Sequence, residues 1–86
     1  MLAKEKFEEL GYEYEYVVGI SNNCEDVILY THKTEDIIIQ FNLLSKMVVY
    51  QMKNTEKIKE YKKIVLFITK ELIYAINKQI EELNWN

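Results

Sequence analysis

The sequence predicts an α+β fold: a short N-terminal helix, an antiparallel meander sheet of four or more strands, and a long C-terminal helix packed on the sheet. Three observations carry that expectation. Apolar residues at helical spacing stop at Gly11, alternation with a period of two takes over at Tyr12, and helical spacing returns before Asn84. With 86 residues, the chain has room for one domain spanning 1–86 and a small core.

Ala3, Phe7 and Leu10 fall on one helical face, with Lys and Glu between them. Gly11 follows, where a helix commonly ends in a left-handed residue that Gly accepts without a Cβ penalty. Tyr12, Tyr14, Tyr16, Val18 and Ile20 then share one strand face, and Glu13, Glu15, Val17 and Gly19 the other. A polar turn over Ser21–Asp26 leads to a second strand, Val27 to about His32. Lys33-Thr34-Glu35 connects it to a third, Asp36 to Phe41. Asn42–Lys46 turns the chain into a fourth, Met47 to about Met52. Strands two to four are apolar on both faces, so both faces are expected to be at least partly covered.

The residues from about Thr55 to Ile68 read two ways. Ile58, Tyr61, Val65, Ile68 and Leu72 step by three or four, as in one long helix. Ile64–Ile68, however, is apolar all round and rich in β-branched residues, and Thr69 suits the N-cap of a helix starting at Lys70. Thr69 to Leu83 is helix on either reading. Asn84 takes the left-handed position after it, and Trp85 is placed to fold back on Ile80 as part of the fold.

The two ends together carry a resemblance. Residues 3–13, with Phe7-Glu8-Glu9-Leu10-Gly11-Tyr12 at their centre, and residues 75–85, Ala-Ile-Asn-Lys-Gln-Ile-Glu-Glu-Leu-Asn-Trp, are similar to small proteins encoded by phages and prophages of low-GC Gram-positive bacteria. Those proteins open with a helix ending Phe-x-x-Leu-Gly-Tyr and close with a helix reading Ala-Ile-x-x-Gln-x-x-Glu-Leu-Gly-Trp. Ile68-Thr69 matches their lead into the last helix and favours an extended segment before it. Asn84 stands where the family has Gly, and Asn54–Tyr61 looks like an insertion. The family carries no established activity, so the resemblance implies origin and fold and no mechanism.

Composition agrees with that origin. Phe, Tyr, Met, Ile, Asn and Lys make up 42 of the residues, and Gly, Ala, Arg and Pro only 4, the pattern of AT-rich coding. All 11 basic residues are Lys, so the chain has no bidentate fork for phosphate or carboxylate. A single Cys forms no intramolecular disulfide, the N-terminus has no apolar signal stretch, and no apolar run approaches membrane-spanning length. A cytoplasmic protein that does not enter the membrane is expected.

Cys24 and His32 are the only soft nucleophile and the only near-neutral base. Eight residues of strand at ~3.3 Å each would hold them roughly 26 Å apart, which excludes a dyad within one chain. The expected fate of His32 is a solvated turn. No metal-ligand spacing and no phosphate-cradling loop occurs, so neither cofactor nor enzymatic activity is expected.

The candidate interaction residues are Tyr12, Tyr14 and Tyr16, with Lys59, Lys62 and Lys63. An aromatic strand face can anchor a protein or stack bases, although core packing is its commoner fate. Lys53, Lys57, Lys59, Lys62 and Lys63, offset by Glu56 and Glu60, make one modest basic cluster, weaker than most nucleic-acid readers show. Glu5, Glu8, Glu9, Glu13 and Glu15 make an acidic end, compatible with self-association as a homodimer. The expected function is therefore that of a non-enzymatic accessory protein that binds an unidentified protein partner or itself. Weak nucleic-acid binding through the Lys53–Lys63 segment and the tyrosines is the alternative. Inhibition of a host defence enzyme ranks below both, since a net charge of −3 imitates DNA poorly.

Overall fold

Ala3–Glu9 forms the first helix, α1, and Gly11 ends it as expected, at φ +93° with its N–H on the Glu8 carbonyl at 3.0 Å. The computed structural model describes residues 2–19, 24–52 and 68–85. The strands are β1 (Tyr12–Val17), β2 (Val27–His32), β3 (Ile37–Asn42) and β4 (Met47–Met52), and the last helix is α2 (Lys70–Glu82). The strands pair antiparallel in chain order, with Tyr14 opposite Tyr30, Tyr30 opposite Ile39 and Ile39 opposite Tyr50. The architecture is the expected α+β meander with both helices on one face.

That face forms the core. Phe7 stacks on Tyr30 with ring centroids 3.8 Å apart, and Phe41 meets both rings edge-on. Leu72 and Ala75 of α2 close over them, and Ile76, Ile80 and Leu83 extend the same stripe. Gln79 interrupts the stripe and is buried. Its Oε1 accepts from the Tyr30 hydroxyl at 2.5 Å, so neither polar group is left unpaired. Burial pushes the Tyr30 phenol well above its ordinary value.

The helices are capped locally and by each other. Leu2 N–H donates to Glu5 Oε1 at 2.9 Å, and Ala3 N–H donates to Glu82 Oε2 at 2.6 Å, tying the start of α1 to the end of α2. Thr69 caps α2, its Oγ1 accepting from Leu72 N–H at 3.2 Å. At the other end Asn84 adopts φ 58°. Its N–H reaches the Glu81 carbonyl at 3.0 Å, and Trp85 N–H reaches Ile80 at 3.2 Å, the double bond of a Schellman cap. Trp85 packs half-buried against the core, 6.2 Å from Phe41, as expected of a residue belonging to the fold.

Three expectations shift. β1 stops at Val17 rather than running to Ile20, because Asp26 Oδ1 captures the Gly19 N–H at 2.9 Å. Gly19 lies so close to Cys24 that a Cβ there would sit 2.3 Å from the Cys24 carbonyl oxygen. β3 begins at Ile37, one residue later than expected. Thr69 is extended, at ψ 162°, so no single helix runs through it from Thr55. Residues 53–67, and with them the choice between strand and helix there, lie outside the described residues. The second face of the sheet, with Val17, Val27, Leu29, Ile38 and Val49, is half-buried, and among the described residues no helix or strand lies across it.

Candidate functional site

The three tyrosines of β1 share a face, yet the structure separates their roles. Tyr12 is core: it is 5% exposed, edge-on to Phe7 at 5.7 Å and to His32 at 4.8 Å. Its phenol is pushed up to about 12, by burial first and then by the neighbouring Tyr50 and Glu35. Tyr14 and Tyr16 are 38% and 46% exposed, and Val18, just past the end of the strand, is 61% exposed. The reason is lateral position. The helices stand over Tyr12, Tyr30 and Phe41, while β1 is, among the described residues, an outer strand of the sheet whose far half extends beyond them.

Both exposed rings are held. Tyr14 packs edge-on against Tyr30 at 5.6 Å, and Lys4 Nζ lies 4.9 Å from its ring centroid. The Tyr16 hydroxyl donates to Asp26 Oδ2 at 2.8 Å. That bond raises the phenol's pKa. On the other side, the Gly19 N–H and then the Tyr16 hydroxyl hold the Asp26 carboxyl below its ordinary 3.8. A fixed aromatic surface loses less freedom on binding than a floppy one, which is what an anchoring residue needs.

The surroundings are mixed in charge but lean acidic. Glu13 and Glu15 are exposed on the opposite face of β1. At its start, a shallow groove of about 420 Å³ is lined by Lys4, Glu8, Tyr12, Glu13, Tyr14 and Lys33. Lys59, Lys62 and Lys63, with Lys53 and Lys57, lie outside the described residues.

His32 differs from the solvated residue expected of it. Thr34 N–H and Glu35 N–H converge on its Nδ1 at 3.2 and 3.0 Å, which makes Nδ1 the unprotonated nitrogen. Nε2–H then donates to the Leu10 carbonyl at 3.1 Å, at the end of α1. His32 is a staple between the first helix and the β2–β3 turn. Cys24 precedes β2 and His32 ends it, so the two stand at opposite ends of the strand, as the spacing requires. Among the described residues no three His, Cys, Asp or Glu side chains are grouped to hold a metal ion. Among them, too, no helix is long and apolar enough to cross a membrane.

Two carboxylates missed by sequence reasoning organise the edges. Asp26 secures Tyr16 and Gly19 on the β1 side. Its neighbour Glu25 accepts at Oε1 from Leu44 N–H and Ser45 N–H, both at 2.9 Å, and from Ser45 Oγ, securing the β3–β4 turn. These bonds, led by that from Ser45 N–H, hold the Glu25 carboxyl below its ordinary 4.5. Neither role left a trace in spacing, since the partners lie seven to twenty residues away. No family model matches the chain, and neither curated proteins nor solved structures give a match.

Proposed function

We propose that the chain is a non-enzymatic accessory protein of phage or prophage type that acts in the cytoplasm by binding another protein. The observation that carries the binding part is the pair Tyr14 and Tyr16: aromatic, held in place, and exposed on β1, an outer strand among the described residues, with the exposed Val18 just beyond its end. An outer strand presents backbone hydrogen-bonding groups as well as side chains, so a partner segment adds to it as a further strand. Glu13 and Glu15 on the other face select a partner with basic residues there. The provenance rests on the terminal motifs, Phe7-x-x-Leu10-Gly11-Tyr12 and the Ala75–Trp85 run.

The test is affinity capture from the cytosol of a low-GC Gram-positive host, with and without nuclease, comparing the natural chain with Tyr14→Ala/Tyr16→Ala. The expected result is a protein captured regardless of nuclease and lost on the double substitution, with the circular dichroism of the variant unchanged. A capture abolished by nuclease would transfer the function to nucleic acid and the Lys53–Lys63 segment. Capture that survives loss of both tyrosines would remove β1 from the account.

A further inference from the structure

The sheet's other outer strand has the opposite character. β4 reads Met47-Val48-Val49-Tyr50-Gln51-Met52, with no charged side chain, and Met47, Val48 and Gln51 are exposed. Among the described residues it pairs with β3 alone. Outer strands are commonly guarded by charge against pairing with a further chain, and this one is not.

Backbone geometry limits what β4 can meet. In an antiparallel ladder successive residues point their N–H and C=O groups to alternate sides. Two copies related by a two-fold axis therefore set outward-pointing residues against each other, and those residues share parity. Even-numbered residues oppose even-numbered ones, so Tyr50 meets Tyr50, or Val48 meets Met52. The odd-numbered residues Met47, Val49 and Gln51 likewise oppose one another. No register centred within β4 brings two charges together, and all keep the helix-covered faces of the two copies on the same side. The same rule applied to β1 sets glutamate against glutamate in every register centred on Glu13, Tyr14 or Glu15, a destabilising like-charge pair.

We propose that two copies of this chain join antiparallel through β4, extending the described four strands to a continuous eight-stranded sheet. The proposal also sets where assembly ends. Among the described strands both ends of that sheet are then β1, whose glutamates oppose self-pairing in the registers centred on residues 13 to 15, so the two-fold contact closes at the dimer. The inference rests on reading the protein as one that works through protein contacts. It uses the opposite edge from the tyrosine row, so the two fail separately.

The test is sedimentation velocity of the full chain at micromolar concentration, with Val49→Glu/Gln51→Glu and Val49→Lys/Gln51→Lys alongside. The natural chain is expected at twice the monomer mass. Each variant alone should associate about tenfold more weakly or worse, and an equimolar mixture of the two should recover the dimer. A natural chain that stays monomeric overturns the proposal whatever the variants do, even if partner capture through Tyr14 and Tyr16 persists. A dimer that both variants keep, or folded variants that do not recombine, overturns it equally.

Discussion

Among the described strands the two outer ones are each six residues long and share one core, yet they are built on different chemistry. β1 alternates tyrosine with glutamate, and β4 carries no charge at all. Each is entered through a left-handed residue, Gly11 at φ +93° before β1 and Lys46 at φ 59° before β4. Each has a neighbouring corner clamped by one of two adjacent carboxylates, Asp26 for β1 and Glu25 for the β3–β4 turn. The scaffolding is therefore matched, and the contrast lies in what each strand offers a newcomer. A strand with alternating carboxylates rejects its own copy and accepts a complementary stranger, whereas an uncharged strand accepts its own copy.

Removing the charge from β1 should break this contrast most visibly. Glu13→Val/Glu15→Val leaves two unguarded edges, and light scattering should then show species growing past the dimer. A variant that stops at the same mass as the natural chain would show that the glutamates guard nothing.

The two entry residues give a smaller, paired effect of opposite sign. Gly11→Ala forces a Cβ into the left-handed region and to 2.8 Å from His32 Nε2, so it should cost ~1–2 kcal/mol or more. Lys46→Gly relieves a non-glycine residue already in that region and should stabilise by up to about 1 kcal/mol. Urea denaturation of both variants checks the signs. Equal signs would mean that the two corners are not equivalent.

Much of this framework is legible in the sequence wherever the cause is local. Gly11, Thr69 and Asn84 act within a few residues of the helix ends they define. The period-two runs separated by short polar turns specify the meander. The contacts that decide the site are not local. Glu82 caps a helix that starts 79 residues earlier, and Gln79 meets Tyr30 across 49 residues, so no spacing announces either. The sequence also placed all three tyrosines on one face without saying how far the helices reach over it. That reach leaves Tyr12 in the core and Tyr14 and Tyr16 outside. His32 reads as solvated in the sequence because its partners, the Leu10 carbonyl and two turn N–H groups, are backbone atoms that no residue type marks.

Acid should act on both corners with the smallest effect. The Asp26 and Glu25 carboxyls are held below their ordinary 3.8 and 4.5, so their contribution is present in full above those values. It is lost as the pH falls through the lower values of the folded state. Over that fall the Gly19 and Ser45 amide N–H groups should lose protection relative to their intrinsic exchange rates in the natural chain. Asp26→Asn should abolish that response at Gly19 alone, and Glu25→Gln at Ser45 alone. A response that moves at both corners in either single variant would mean that the two clamps are one unit.

The contrast between the edges is tested most directly by residue-resolved amide hydrogen exchange as protein concentration is raised. The outward N–H groups of β4 should gain protection with concentration, while those of β1 keep their rates until a different protein is added. Protection that rises first in β1, or β4 rates independent of concentration, would contradict the account.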